Sequence, residues 1–199
     1  MQTAATTETL VVVKIGGAAG VAREEICADV AALQRAGQLL LLVHGGSDMA
    51  TQLGAQLGHP AQFVTTASGH SSRYTDARTL EIFLMATALL NRQLCARLNA
   101  LGCSAVGLSG IDGGLLLADR KTVLQVVANG KRKVLRDDHT GSIKQVPVEQ
   151  CRGHQEYLKC ARICVAAAVP ACRGYKLSGM SELCAELRCH VRTAVYEQQ

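Results

Sequence analysis

Apolar residues fall along this chain in two ways, as short unbroken runs and as stripes at helical spacing. Thr9-Leu10-Val11-Val12-Val13 and Gln38-Leu39-Leu40-Leu41-Leu42-Val43 are runs without polar alternation. Such runs predict strands covered on both faces, the pattern of a parallel sheet. Between them, residues 22–37 carry Ile26, Val30 and Leu33 on one side with polar residues opposite, the spacing of a crossover helix. A helical pattern resumes at Asp48. A longer one runs from Asp76 to Leu101, with Leu80, Phe83, Leu84, Thr87, Leu90, Leu94 and Leu98 as its apolar stripe and Gly102 as its stop. Ser104 to Leu108 predicts a further buried strand. Thr122–Ala128 and Lys131–Arg136 flank Asn129-Gly130, a strong hairpin signal.

The first two runs end in glycine-rich turns. One continues as Lys14-Ile15-Gly16-Gly17-Ala18-Ala19-Gly20, the other as His44-Gly45-Gly46-Ser47. Glycines let backbone N–H groups approach an anion closely, and a following helix adds the positive end of its dipole. The first turn matches neither the P-loop nor the dinucleotide fingerprint, because its lysine precedes the glycines. On the residues alone it is either a phosphate cradle or a structural turn with a surface lysine. A right-handed βαβ unit brings both turns to the carboxyl edge of one sheet, where open α/β sheets bind ligands. Two anion cradles side by side fit a donor and an acceptor. Arg73, just ahead of the long helix, is either a solvated side chain or a fork for a carboxylate. The basic run Lys131, Arg132, Lys133 and Arg136 is either a charged edge that blocks sheet extension or a docking surface for an acidic carrier. His44 reads as structural. His70 lies near Arg73, and a neutral role outweighs a substrate contact. No spacing of His, Cys, Asp and Glu before Val148 recommends a metal site.

Four ordered segments resemble the amino-acid kinase superfamily: Val13-Lys14-Ile15-Gly16-Gly17, Val43-His44-Gly45-Gly46, Ser72-Arg73-Tyr74-Thr75-Asp76 and Ala105-Val106-Gly107-Leu108-Ser109-Gly110-Ile111-Asp112-Gly113. Within that superfamily the match resembles the acetylglutamate kinase branch. Gly69-His70-Ser71-Ser72-Arg73-Tyr74-Thr75-Asp76, running through Arg78 to Asn91, looks like the lysine-biosynthesis members that act on carrier-linked aminoadipate, the [LysW]-aminoadipate kinases. Acetylglutamate kinases carry a shorter Gly-x-Arg-Val-Thr-Asp there. The resemblance covers about residues 9 to 147. It implies a three-layer α/β/α sandwich with a mainly parallel sheet, here truncated. It also implies phosphoryl transfer from ATP, with Mg2+, to the side-chain carboxylate of α-aminoadipate held on a small acidic amino-carrier protein. Lys14 would then be catalytic, Gly16 and Gly17 would bind the ATP phosphates, and Gly45, Gly46, Ser47 and Arg73 would hold the acceptor. The alternatives are an acetylglutamate kinase of arginine biosynthesis and a non-catalytic fragment.

Composition agrees with this reading. A chain of 199 residues can bury a sizeable core, and 48% hydrophobic with only 3% aromatic residues suits an aliphatic α/β interior. The net charge of +5 lacks the aromatic and arginine interleaving of a nucleic-acid surface, and suits acidic substrates. Met1 to Thr9 lacks a basic leader and no apolar run is long enough to span a bilayer, so a cytoplasmic protein without membrane contact is expected. Self-association is left open.

Past Val148 the pattern changes. Cys27, Cys95 and Cys103 are the cysteines of the first 150 residues, whereas Cys151, Cys160, Cys164, Cys172, Cys184 and Cys189 crowd the last 49. No Cys-x-x-Cys pair recommends a zinc module, and a cytosolic setting disfavours disulfides. The helix, the strand and the Asn-x-Asp-Ala-Asp segment that the resemblance implies next are not found. Codons for Cys184 to His190 can be chosen so that reading one nucleotide later gives Ala-Leu-Asn-Cys-Asp-Ala, close to that segment. The expectation is therefore a family half over residues 1–147 and an out-of-frame tail over 148–199, in a chain inactive as written.

Overall fold

A computed structural model describes residues 10–67, 69–128, 130–145, 163–167 and 191–196. The first apolar run forms β1 (Leu10–Ile15), and the second forms β2 (Leu39–His44). They pair in parallel, Leu10 opposite Leu39 and Ile15 opposite His44, joined by α1 (Arg23–Arg35). α2 (Ser47–Gln56) follows the second glycine turn. β3 (Phe63–Thr66) and β4 (Ser71–Arg73) form a short antiparallel pair before α3 (Ala77–Ala100). The side chain of Asp76 caps α3 by accepting from the Thr79 N–H at 2.7 Å, and Gly102 ends it at a φ of 81° that favours glycine.

β5 (Ala105–Ser109) is followed by a single 3-10 turn at Asp112–Gly114, then β6 (Leu117–Arg120), β7 (Leu124–Ala128), β8 (Lys131–Leu135) and β9 (Gly141–Gln145). The expected hairpin is present, with Ala128 opposite Lys131. β8 is an edge strand of the antiparallel sheet β4-β3-β7-β8, and Lys131, Arg132 and Lys133 are exposed on it. β6 and β9 pair separately. Among the described residues, no helix is long and apolar enough to cross a membrane.

The sequence reading finds no strand past Val148, yet the structure describes two, β10 (Ile163–Ala167) and β11 (Val191–Tyr196). The all-parallel sheet runs β11-β1-β2-β10-β5, so β10 fills the place between β2 and β5, and β11 lies outside β1. Ile163-Cys164-Val165-Ala166-Ala167 is a short apolar run, and such a run carries no periodicity by which to identify it. The rest of the expected tail lies outside the described residues.

One face of the sheet is covered by helices. Val13, Ile15, Leu40 and Leu42 pack with Ile26, Cys27, Val30 and Ala31 of α1 and with Leu90, Leu94, Cys95 and Leu98 of α3 in one cluster. Each large aliphatic side chain buried there is worth on the order of 1.5–3 kcal/mol against exposure. Two expected core residues are displaced: Leu33 is 39% and Leu84 is 38% exposed. The α1 stripe instead runs through Cys27 and Ala31, and the α3 stripe through Ile82, Ala86 and Asn91. Val12 and Leu41, on the opposite face of their strands, are also buried. The second helical layer of the expected sandwich falls outside the described residues.

Candidate functional site

β1 and β2 deliver their turns to one edge of the sheet and tie them together. The Gly45 N–H donates to the Ile15 carbonyl at 3.3 Å, and the Asp48 N–H donates to the Gly17 carbonyl at 2.8 Å. Space at this seam admits only glycine. A Cβ on Gly17 would lie 2.8 Å from the Gly46 nitrogen, and one on Gly45 would lie 2.9 Å from the Gly17 Cα. Gly46 is fixed from the other side, because its Cβ would meet Thr87 Cγ2 at 2.9 Å. Gly16 is less constrained, its Cβ reaching only Val21 at 3.6 Å. The Gly17 and Gly46 N–H groups make no hydrogen bond with any described residue. Strand alternation turns Lys14 away from the face of Val13 and Ile15; it is exposed and has no ion pair among the described residues.

Arg73 meets the second turn directly. Its Nη2 donates to the Ser47 carbonyl at 3.0 Å, the Ser47 hydroxyl at 3.1 Å and the Thr51 hydroxyl at 2.8 Å. The guanidinium lies over the rings of Phe63, 5.0 Å from its centroid, and Phe83, at 5.9 Å. Stacking of this kind supports the planar group while leaving its edge open. Burial pulls its pKa below the ordinary arginine value, though it stays charged near neutrality. The structure thus links Arg73, Ser47, Gly46, Gly45 and Gly17 through adjoining contacts, with Gly46 buried and with Lys14 and Gly16 on the β1 side. His70 is exposed.

The segment that carries Arg73 is held from behind by a residue that motif reading passes over. Asp138 is 1% exposed, and its carboxylate accepts from the Thr75 N–H at 3.1 Å, the Thr140 N–H at 2.8 Å and the Thr140 hydroxyl. The His139 N–H returns to the Thr75 carbonyl at 2.7 Å. A hydrogen bond to Asp137, with burial and nearby carboxylates, pushes the Tyr74 pKa up to about 12. Burial would raise Asp76, but the Thr79 N–H and hydroxyl, together with His59 at 3.3 Å, hold its pKa below the usual carboxylate range. Asp138→Ala would strand two backbone donors, so a loss of about 2–4 kcal/mol is expected from denaturant unfolding. A change below 0.5 kcal/mol would show that water replaces the carboxylate.

His44 and Asn91 are likewise buried, at 0% and 4% exposure, and Asn91 Nδ2 lies 3.2 Å from His44 Nε2. The signal available in the sequence was a lone amide inside the apolar stripe of α3. Among the described residues, no group of three or more His, Cys, Asp or Glu side chains is placed to hold a metal ion.

A sequence model of the amino acid kinase family matches residues 9–153. The chain is 49% identical over 133 residues to a [LysW]-aminoadipate kinase of Deinococcus radiodurans, covering 66% of this chain and 46% of the relative. It is 46% identical over 138 residues to a [LysW]-aminoadipate kinase of Thermus thermophilus, covering 69% and 51%. A [LysW]-aminoadipate/[LysW]-glutamate kinase of Saccharolobus solfataricus is 38% identical over 141 residues, covering 70% and 53%. The chain spans about half the length of these curated relatives. Among solved structures, smu.665 from Streptococcus mutans superposes with a TM-score of 0.56 at 20% identity, over 79% of this chain and 58% of that one, which supports the α/β fold.

Proposed function

The chain belongs to the amino acid kinase family, and from that premise we propose that residues 1–147 form the acceptor-binding and phosphate-cradling half of a kinase. Its substrate would be the side-chain carboxylate of α-aminoadipate carried on a small acidic amino-carrier protein, with ATP as donor. The observation that carries this reading is the seam of Gly17, Gly45 and Gly46, whose closeness excludes any Cβ, with Arg73 anchored beside it through Ser47. The names of two similar relatives, those of Deinococcus radiodurans and Thermus thermophilus, support the choice of acceptor.

A carboxylate is already a nucleophile at neutral pH, so no general base is required. The work is to align two anions and neutralise charge as the phosphoryl group passes between them. Gly17 and Gly46 offer N–H donors to phosphoryl oxygens at the seam. Nη2 of Arg73 holds α2, and the guanidinium brings its charge and its remaining N–H donors to the acceptor's carboxylate. Lys14 supplies positive charge beside the transferring group. Mg2+ would travel with the ATP phosphates, supplying charge neutralisation, and no described residue is assigned to it.

The test joins residues 1–147 to the C-terminal half of the Deinococcus radiodurans relative and assays the hybrid with ATP. Far faster transfer to carrier-bound aminoadipate than to free acetylglutamate is the expected result. Comparable rates would move the assignment to arginine biosynthesis, and no transfer to either would leave a non-catalytic role.

A further inference from the structure

His44 lies at the end of β2, immediately before the glycine turn, and its ring is buried between that turn and α3. His44 Nδ1 is 2.8 Å from the Gly45 carbonyl oxygen. Nε2 is 3.2 Å from Asn91 Nδ2, and the same Nδ2 is 3.2 Å from the Leu108 carbonyl oxygen of β5. Only one arrangement of protons satisfies all three contacts. A carbonyl can only accept, so the Asn91 atom beside Leu108 must be the amide nitrogen. That NH2 group gives one hydrogen to Leu108 and faces His44 with the other, so Nε2 must be the acceptor. The imidazole is then neutral with its proton on Nδ1, where it donates to Gly45. Burial, which lowers the pKa of His44, is consistent with a neutral ring.

The consequence runs through one planar peptide. In a trans peptide the C=O and the following N–H point in opposite directions. A Gly45 carbonyl drawn to His44 therefore turns the Gly46 N–H the opposite way, and the Gly46 nitrogen borders the seam, 2.8 Å from where a Gly17 Cβ would lie. We propose that Asn91 and His44 are positioning residues for the glycine cradle: Asn91 fixes the Nδ1–H tautomer of His44, and that proton sets the direction of the Gly46 N–H. This rests on the reading of the seam as an anion site.

The experiment uses the 199-residue chain, labelled with 15N in its histidine rings, at neutral pH. Long-range 1H–15N correlation should give His44 a protonated Nδ1 and an unprotonated Nε2. A ring protonated on Nε2 would overturn the proposal without any variant. Asn91→Asp, which sets an acceptor against Nε2 in place of the donor, should draw a proton onto Nε2; an Nε2 left unprotonated would overturn the role of Asn91.

Function is read from the Gly46 amide during titration with inorganic phosphate. An Asn side chain at position 44 can put an N–H near the place of Nδ1, whereas Gln carries its amide further out, toward Nε2. His44→Asn should therefore hold phosphate within about threefold of the parent chain and His44→Gln should lose about tenfold, the worth of one hydrogen bond. Equal affinities would show that the ring merely fills space, and would overturn the proposal. Loss of the tautomer with phosphate binding intact would overturn the clamp and spare the anion site. A correct tautomer with no phosphate response in the parent chain would overturn the anion site and with it the clamp's role in directing Gly46.

Discussion

Lys14→Ala in the hybrid chain lowers kcat by roughly two to three powers of ten, the loss expected for one preorganised electrostatic donor, while ATP affinity falls far less. The structure separates this effect from damage to the fold. Lys14 is exposed, makes no ion pair among the described residues and sits in a strand whose register with β2 is set by backbone bonds. Its ammonium is therefore not consumed in holding the turn. Urea denaturation of Lys14→Ala should accordingly match the parent chain within about 0.5 kcal/mol, as for an exposed substitution away from caps and networks. Steady-state kinetics with carrier-bound aminoadipate reads the other half. A kcat within a few-fold of the parent would reduce Lys14 to a surface residue at a βα junction. A matched rise in both substrate KM values would make it a general anion attractor, not a transition-state group.

The parts of this fold legible in the sequence are those whose cause is local. Branched apolar runs gave β1 and β2, and the spacing of Phe83, Thr87, Leu90, Leu94 and Leu98 gave α3, all five of them buried. Asn129-Gly130 placed the β7–β8 hairpin. The glycine pairs pointed to close backbone approach, and Gly17 and Gly45 do meet. What escaped depends on contacts between distant segments. β10 enters the sheet between β2 and β5 although more than fifty residues separate it from β5 along the chain; nothing in a five-residue apolar run announces its neighbours. Leu33 and Leu84 sit at the margins of their helical stripes, and the packing partner decided which side of the margin was covered. Asp138 carries no motif of its own; its role exists only because the loop before β9 folds against Thr75. The cradle was readable, whereas the buried groups that direct it were not.

Those non-local contacts shape the other large effect. Arg73→Ala should raise the acceptor KM of the hybrid chain by roughly ten- to a hundredfold, with kcat at saturation changed only a few-fold, because a charge-assisted grip on the carboxylate contributes in ground and transition states alike. Arg73 also bonds the first turn of α2 through Ser47 and Thr51 and lies over Phe63 and Phe83. Its loss could therefore act indirectly, by loosening Ser47 and the glycine turn. Thr51→Val separates the two routes. It removes one acceptor of the Nη2 donor and keeps the guanidinium on its aromatic support, so its KM should stay within about threefold of the parent if the carboxylate grip dominates. Arg73→Lys, which keeps the charge and loses the planar fork, should fall close to Arg73→Ala. If Thr51→Val is as damaging as Arg73→Ala, the arginine serves the turn and not the acceptor. If Arg73→Lys is nearly neutral, charge alone suffices and the directed N–H donors assigned to Arg73 are not needed.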